Sequence, residues 1–320
     1  MDLRQSLNSI LVASALMIVA STGSAQDKLK LAVGQRGNWD TAVAELGQKQ
    51  GFFKKRGLTL EILYTQGTGE TIQAVASGSV DIGVAAGTTG VLGAFSKGAP
   101  IRAIGAAFTG SSDLYYYVPV DSKIKVMTDA TKKTVGFSTN GSSSYTTALA
   151  LLKYYKIDAI PTATGSPAAT YTQVMSHQID VGWSSPPFGL DAVAQKKIRI
   201  VARGSEVPGL QGETMRLLIA NLHTIGQRKP VLERFMQAYR ESLDWMYADD
   251  AALKAYADWA GTTQTLAKQA RDEFYPGNSM SPDRISGLDA LMADAVSFKY
   301  IPAPLTQAQQ KELFQILPQK

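Results

Sequence analysis

The chain has 320 residues, of which 45% are hydrophobic and 18% charged, a composition that suits about two globular domains. It contains no cysteine, which excludes disulfides, thiolate zinc sites and a cysteine nucleophile. The net charge is +5, but the basic residues are scattered and their longest run is only residues 54–56. This distribution does not indicate a nucleic-acid-binding surface.

The first 25 residues are typical of an export signal. Arg4 precedes an apolar run at residues 10–20, and the small residues Gly23 and Ala25 fit the rule for signal cleavage. The apolar run is too short to span a bilayer stably. No cysteine follows the cleavage position, which excludes a lipid-anchored lipoprotein. We therefore expect cleavage after Ala25 and a periplasmic location for residues 26–320.

Strands and helices alternate over the next part of the chain. Alternating apolar residues predict a strand at residues 28–33, followed by a loop at 34–40 and a helix at 41–53. Asn38 or Asp40 is a suitable N-cap for this helix. Further strands are predicted at 58–63, 80–84 and 101–108, with helices at 70–76 and 91–96. This alternation indicates a parallel sheet covered by helices.

A glycine- and serine-rich loop at residues 138–144 lies between a predicted strand and a predicted helix. Backbone N–H groups at such a helix start, together with the helix dipole, can hold a carboxylate, sulfonate or phosphate. The hydroxyls of Ser142, Ser143 and Ser144 add donors. We interpret the loop as half of an anion-binding cleft; the alternative is a serine-rich helix cap without a ligand.

Two extended segments lie between the regions of alternating strands and helices. Residues 115–124 include Pro119, which bars a helix and disfavours a central strand. Residues 215–221 precede a long helix predicted at 229–246. We interpret both segments as crossovers between two lobes, an arrangement typical of a hinge.

One short pattern occurs twice in the chain. Residues 76–85 read ASGSVDIGVA and residues 175–184 read MSHQIDVGWS, with the Ser, Asp and Gly positions matching at a constant spacing. The repetition predicts two lobes built on one plan rather than a solenoid. Ligand loops of open α/β sheets lie at the carboxyl ends of strands. Four loops therefore qualify as binding loops: 34–40, 85–90, 138–144 and 183–188.

With these features in place, the chain resembles the nitrate/sulfonate/taurine-type periplasmic solute-binding proteins of ABC importers. The resemblance rests on KQGFFKKRGLTLEI at 49–62, SGSVDIG at 77–83, VPVDSKI at 118–124, KKTVGFSTNGSS at 132–143 and QIDVGWSSPPF at 178–188. It implies a two-lobed α/β clamshell of the type II periplasmic-binding-protein fold, each lobe a mixed, mostly parallel sheet covered by helices. It also implies a discontinuous first lobe, residues 26–117 plus 217–320, and a second lobe at 118–216.

The resemblance implies that Gly141, Ser142 and Ser143 cap the anionic group of a ligand, and loop 85–90 would face them from the first lobe. The complete set of expected ligand-binding residues is Arg36, Asn38, Trp39, Thr88, Thr89, Asn140, Gly141, Ser142, Ser143, Ser144, Trp183, Ser184, Pro186 and Phe188.

One departure from the family bears on the ligand. Many members of this family carry an acidic residue directly after the tryptophan that corresponds to Trp183, and such a residue suits a cationic amine; here Ser184 occupies that position. Its absence argues against amine ligands.

Aromatic residues on or beside the candidate loops suggest an organic body held between rings. They are Trp39, Tyr145, Trp183, Phe188 and one of the three tyrosines at 115–117. We therefore expect an organic anion, a sulfonate or carboxylate with an aliphatic or aromatic part, rather than nitrate. Arg36, Arg102 or Arg216 could supply a bidentate partner.

The expected function is capture of this anion and its delivery to a permease in the inner membrane with its cytoplasmic ATPase. We expect a monomer that does not bind nucleic acid, with no catalytic residue, metal or cofactor. One alternative is a biosynthetic enzyme on the same fold, of the thiamine-pyrimidine or menaquinone type. The export signal and the lack of cysteine and of a His paired with Asp or Glu at catalytic spacing argue against it. A second alternative is a sensory ligand-binding module.

Overall fold

The computed structural model describes residues 26–317, so the predicted export segment lies outside the described residues. The strands are β1 (Asp27–Gly34), β2 (Leu58–Thr65), β3 (Ile82–Gly87), β4 (Ile101–Thr109), β5 (Tyr115–Pro119), β6 (Thr134–Phe137), β7 (Ile160–Ala163), β8 (Gly182–Ser184), β9 (Ile198–Arg203) and β10 (Thr214–Asn221). The helices are α1 (Trp39–Lys49), α2 (Thr68–Ala76), α3 (Thr88–Ser96), α4 (Ser143–Tyr155), α5 (Pro167–Met175), α6 (Leu190–Ala194), α7 (Leu222–Ala248), α8 (Asp250–Ala260), α9 (Gln264–Gln269), α10 (Leu288–Ser297) and α11 (Gln307–Leu313).

The first sheet has the strand order β2-β1-β3-β10-β4. β1 pairs in parallel with β2 and β3, whereas β10 runs antiparallel to both of its neighbours. Four strands therefore point in one direction and β10 in the other. Both faces of this sheet are covered, because one set of its side chains packs under α1 and α7 and the opposite set packs under α3 and α10.

The second sheet repeats this plan. β5 lies between β8 and β9 and is antiparallel to both, and β6 pairs in parallel with β7. A parallel bridge from Val135 to Val181 places β6 beside β8, with Gly136 N–H donating to the Val181 carbonyl over 2.8 Å. The resulting order is β7-β6-β8-β5-β9, which is equivalent to that of the first sheet. The expected two-lobed α/β fold with mixed, mostly parallel sheets is thus confirmed.

The two segments interpreted as crossovers form strands instead. β5 is an interior strand of the second sheet, between β8 and β9, with Pro119 as its last residue, where a missing N–H costs least. β10 is buried along its whole length between β3 and β4. An extended apolar run looks the same in sequence whether it crosses between lobes or lies inside a sheet, which explains the error.

The chain passes between the sheets in the segments 110–114 and 204–213. The expected lobe boundaries were 117/118 and 216/217. Sheet pairing groups residues 115–117 with the second sheet and 214–216 with the first. We therefore propose boundaries within the two connecting segments.

The helix predicted at 229–246 is part of a longer one, α7. It begins at Leu222 and contains Pro230, and the helix is kinked at Arg228, where φ is −132°. None of the helices within residues 26–317 is long and apolar enough to cross a membrane.

A buried carboxyl group lies at the end of the second connecting segment. Glu213 is only 4% exposed, and its Oε2 has no hydrogen-bond partner among the described residues. Burial, and to a lesser degree the nearby Asp294, raises the pKa of Glu213 from 4.5 to about 7. The folded protein therefore binds this proton more tightly than the unfolded chain does.

Replacing Glu213 with Gln should change how stability depends on pH. The favourable contribution of protonated Glu213 is complete below pH 4.5 and is lost as the pH rises through about 7. As the pH rises from 5 to 8, the unfolding free energy of the native protein should therefore fall by about 1–3 kcal/mol relative to that of the Glu213→Gln protein, whose side chain does not titrate. Urea unfolding at both pH values would measure this, with the exposed Glu273→Gln as a control. Equal pH dependence in all three proteins would contradict the assignment.

Candidate functional site

The carboxyl ends of strands from both sheets meet at a small cavity of about 40 Å³ between the lobes. Loops after β1 and β2 and Ala85 of β3 line it from the first lobe, and loops after β6 and β8 line it from the second. The helices α1, α2 and α4 begin at this cavity, so their N-terminal N–H groups and positive dipole ends lie beside it. The lining side chains that matter below are Asn38, Asp40, Ser142, Ser143, Ser144, Trp183, Ser185 and Arg216.

Hydrogen bonds across the floor of the cleft join the two lobes. Arg216 on β10 donates from Nε to the Ser143 hydroxyl over 2.9 Å. Asn38 donates from Nδ2 to the Ser185 hydroxyl over 3.2 Å. Both contacts connect the first lobe to the second, so the structure shows the cleft in its closed arrangement.

The rim of the cleft is closed by small residues. The hydroxyls of Thr89 and Thr146 lie 2.8 Å apart, and Gly90 N–H donates to the Gly141 carbonyl over 3.1 Å. A Cβ atom added to Gly87 would lie 2.4 Å from the Gly141 oxygen. The lobes therefore approach backbone to backbone, which only residues without a side chain permit.

Arg216 lies at the centre of a buried network of charges. Its Nη1 donates to Asp40 Oδ2 over 2.8 Å, and its Nη2 donates to Asp113 Oδ2. The side chains of Arg216, Asp40 and Asp113 are only 6%, 1% and 0% exposed. Although burial lowers the pKa of Arg216, the carboxylates of Asp113 and Asp40 raise it above its usual value, so the guanidinium stays charged. Burial raises the pKa of Asp113, and Asp40 adds to this effect.

Three oxygen atoms around this network lack a hydrogen-bond donor among the described residues. They are Oδ1 of Asn38, Oδ1 of Asp40 and Oδ1 of Asp113, and each is fully buried. Asn38 occupies the N-cap position of α1, yet its side chain makes no capping bond. Asparagine at this position usually accepts from the helix N-terminus, so the side chain is directed elsewhere by its bond to Ser185.

The glycine- and serine-rich loop at residues 138–144 contains both a helix cap and N–H groups that have no acceptor within the helix. Ser142 is the N-cap of α4 and accepts from Tyr145 N–H over 3.1 Å, while Ser144 bonds to the hydroxyls of Ser138 and Ser142. The reading as a helix cap thus holds for Ser142. Helix geometry leaves the N–H groups of Ser143 and Ser144 without an intrahelical acceptor at the edge of the cavity.

The structure brings five of the expected ligand-binding residues to the cavity: Asn38, Ser142, Ser143, Ser144 and Trp183. Trp183 is buried and donates from Nε1 to Thr164 Oγ1 over 3.2 Å. Thr89 and Gly141 lie on the rim. Thr88 is buried and donates to the Thr214 carbonyl, and Asn140 is exposed on the loop.

The structure places the remaining expected residues outside the cavity. Arg36 is exposed and lies over the ring of Trp259 at 4.7 Å. Trp39 is buried in the core, with its ring centroid 4.7 Å from that of Tyr256, because it is the first residue of a helix that packs against α8.

The loop after β8 is occupied with internal contacts. Ser184 donates to the Phe188 carbonyl over 3.0 Å, and the Pro186 carbonyl accepts from Tyr275. The Phe188 ring lies against Gly37. These residues shape the wall next to the cavity rather than the cavity itself.

Apart from Arg216, the other aromatic and arginine candidates also lie outside the cavity. Tyr145 stacks on Phe137 with ring centroids 4.1 Å apart, the tyrosines at 115–117 are buried in β5, and Arg102 pairs with Glu312. Of the three arginines, Arg216 alone lines the cavity. Asp40 and Asp113 were not expected as site residues, because nothing local in the sequence distinguishes them from a helix cap and a loop aspartate.

The sequence of the chain matches a known protein family. A family model described as NMT1/THI5 like matches residues 39–252. The chain belongs to this family. No curated protein has a sequence that matches the chain significantly.

Solved structures share the fold at low sequence identity. The alkanesulfonate-binding protein SsuA from Xanthomonas axonopodis pv. citri, bound to MOPS, superposes with a TM-score of 0.74 at 19% identity, covering 92% of this chain and 97% of that one. The periplasmic aliphatic sulphonate-binding protein SsuA from Escherichia coli gives 0.71 at 16% identity, with 92% and 94% covered. The periplasmic nitrate-binding protein NrtA from Synechocystis PCC 6803 gives 0.69 at 13% identity, with 91% and 86% covered. The resemblance inferred from the motifs is therefore confirmed in family and fold, and these neighbours are binding proteins rather than enzymes.

Replacing Gly87 with Ala should hold the cleft open. Gly87 has φ −60° and ψ 130°, which alanine adopts without strain. The three atoms nearest to the added Cβ would belong to Gly141 and Ser142 of the other lobe, at 2.4–3.0 Å. Small-angle scattering should show a larger radius of gyration than that of the native protein, with an unchanged unfolding midpoint. Gly69→Ala in α2, where nothing lies within 4 Å of the added atom, is the matched control. An unchanged radius in Gly87→Ala would contradict the rim contact.

Replacing Arg216 with Leu should destabilise the protein strongly. It would leave Asp40 and Asp113 buried without their counter-ion, and breaking a buried ion pair from one side costs about 3–5 kcal/mol. Arg234→Leu, which removes a half-exposed partner of Asp27, should cost about 1 kcal/mol or less. Chemical denaturation would compare the two. Equal losses of unfolding free energy in the two variants would show that the buried network contributes no more to stability than a surface ion pair does.

Proposed function

We propose that the protein captures a small solute in the cleft between its lobes and delivers it to an ABC importer. The observation that carries this proposal is the cavity itself. Residues at the strand ends of two equivalent sheets line it, and hydrogen bonds from both lobes close it. Sites of this kind suit small ligands, because a few polar groups converge in a concave space between two lobes.

Capture proceeds by a shift between open and closed arrangements. Within residues 26–317 the chain passes between the sheets only in segments 110–114 and 204–213, so each lobe can rotate as a unit about them. A solute bound to one lobe stabilises the closed form by as much as it gains from contacts with the other. Closure also forms the bonds between Arg216 and Ser143 and between Asn38 and Ser185.

The solute carries an oxyanion, either a sulfonate or a carboxylate, on an organic body. Three helix N-termini at the cavity and the N–H groups of Ser143 and Ser144 favour a negatively charged oxygen group. The Trp183 side chain supplies an apolar wall for the organic part. The helix α4 positions both N–H groups at the second lobe's side of the cleft.

The proposed setting is the periplasm, with a permease and its ATPase as partners. The pattern of residues 1–25 supports export. The SsuA protein from Escherichia coli and NrtA, which share this fold, are periplasmic binding proteins. The protein acts as a monomeric binding protein without catalysis.

A pair of substitutions at one position tests the oxyanion site. Ser143→Ala keeps the backbone N–H and removes the hydroxyl, whereas Ser143→Pro removes both. Proline is compatible here, because Ser143 is the first residue of α4 and Ser142 has φ −76° and ψ 160°. Calorimetry with propanesulfonate, butanoate and their amino- and aryl-substituted forms should show weaker binding in Ser143→Pro than in Ser143→Ala. The expected difference is roughly 10- to 150-fold for one lost bond to a charged group.

The possible results test the place where the oxyanion binds and the kind of solute separately. Binding by the native protein, with a loss confined to Ser143→Pro, supports capture at the start of α4. Equal affinity in both variants would move the oxyanion elsewhere in the cleft. Binding of inorganic anions alone would contradict an organic solute.

A further inference from the structure

Glu213 is a buried carboxyl group that the proposed capture of a solute does not use. It ends the connecting segment 204–213, and its Oε2 has no hydrogen-bond partner among the described residues. Its backbone carbonyl accepts from Gly110 N–H over 2.8 Å, so the two connecting segments meet at this residue. The unpaired carboxyl group therefore lies at the hinge, where rotation of one lobe against the other changes its surroundings.

Both lobes contribute to the packing beside Glu213. Four buried residues form a small apolar cluster there: Ala150 on α4 of the second lobe, Leu210 on the connecting segment, and Met215 and Leu291 of the first lobe. Leu210 and Met215 flank Glu213 closely in the chain. Opening of the cleft would draw α4 away from this cluster and admit water to the carboxyl group.

A pocket of about 250 Å³ beside the cluster contains the charged groups that face Glu213. They are Asp294 on α10 of the first lobe and Lys153 on α4 of the second, and the Lys153 Nζ lies 4.0 Å from Asp294 Oδ1. Residues 208–212 and 285–288, which also pack against Glu213, carry no charge. The cation in this pocket thus lies beside Asp294, while Oε2 of Glu213 has no donor among the described residues.

Burial makes the charge state of Glu213 depend on this geometry. A buried carboxylate without a counter-ion is costly, and the nearby Asp294 repels it. Burial, and secondly Asp294, raises the pKa of Glu213 from 4.5 to about 7 in the closed arrangement. Water that enters on opening would solvate the carboxylate and lower this pKa towards 4.5. The closed form therefore binds the proton more tightly than the open form does.

We propose that Glu213 couples closure of the cleft to the uptake of one proton from the solvent, so that acidic pH favours the closed form and alkaline pH the open form. The inference rests on the hinge motion of the proposed function and adds a regulation of it. A captured solute would accordingly be held more tightly at acidic pH.

The direction of the effect follows from linkage between protonation and closure. The contribution of protonated Glu213 to closure is complete below pH 4.5 and is lost as the pH rises through about 7. Between pH 5 and pH 8 the ratio of closed to open molecules should therefore fall about tenfold or more.

Small-angle scattering of the native protein without solute tests this inference. The radius of gyration should be larger at pH 8 than at pH 5, because more molecules are open. Glu213→Gln keeps the size of the side chain and stays neutral, so its radius should match that of the native protein at pH 5 at both pH values. Glu273→Gln, which changes an exposed carboxyl group of the same lobe, is the matched control and should respond to pH as the native protein does.

A second neutral variant covers the case in which Glu213→Gln does not fold. Glu213→Met replaces the carboxyl group with an apolar side chain of similar length, which suits the neighbouring cluster of Ala150, Leu210, Met215 and Leu291. Its radius should also be the same at pH 5 and pH 8.

The outcomes distinguish this inference from the proposed function. A native radius that does not change between pH 5 and pH 8 would overturn the coupling, and so would an equal change in the neutral variants. Because the scattering uses no solute, binding of propanesulfonate or butanoate in calorimetry would leave solute capture intact after either result. Absence of binding together with an unchanged radius would overturn both.

Discussion

The buried guanidinium of Arg216 is the constraint on which the cleft depends. A charge with 6% exposure requires partners, and it finds them in a helix start, a connecting segment and the opposite lobe: Asp40, Asp113 and Ser143. Asp40 and Ser143 line the cavity from opposite lobes, and Asp113 lies behind it. The position of Arg216 on β10, an antiparallel strand inside an otherwise parallel sheet, brings its side chain to the carboxyl ends of the neighbouring strands. One side chain thus sets both the charge and the closed geometry of the site.

The repeated sheet plan explains why the site is rich in helix starts. In each lobe the parallel strands end at the cleft, and the chain turns there into a helix. Two such lobes facing one another concentrate N–H donors at the cleft. The carboxyl groups of Asp40 and Asp113 are buried beside it and are paired with Arg216.

The sequence supports a prediction of the fold better than of the site. Alternating strand and helix patterns and the repeated motif suffice for two similar lobes, since these signals are local. The strands β5 and β10 could not be recognised as interior strands of their sheets, because an extended apolar run carries no information about its neighbours. Ser142, Ser143 and Asn38 could be anticipated from loops at strand ends. Asp40 and Asp113 could not, because their partner Arg216 lies 176 and 103 residues away in the chain.

The glycine contact at the rim has a consequence for the length of the solute. Gly87 and Gly90 meet Gly141 with no side chain between them, so at these contacts no side chain can rotate aside to make room. The separation of the two lobes at these contacts is therefore fixed when the cleft is closed. A solute one methylene too long would separate the rim residues and lose the bonds between Gly90 and Gly141 and between Thr89 and Thr146 together. Adaptation to longer solutes would have to occur at the floor, by shortening side chains there, because the rim is already at its minimum.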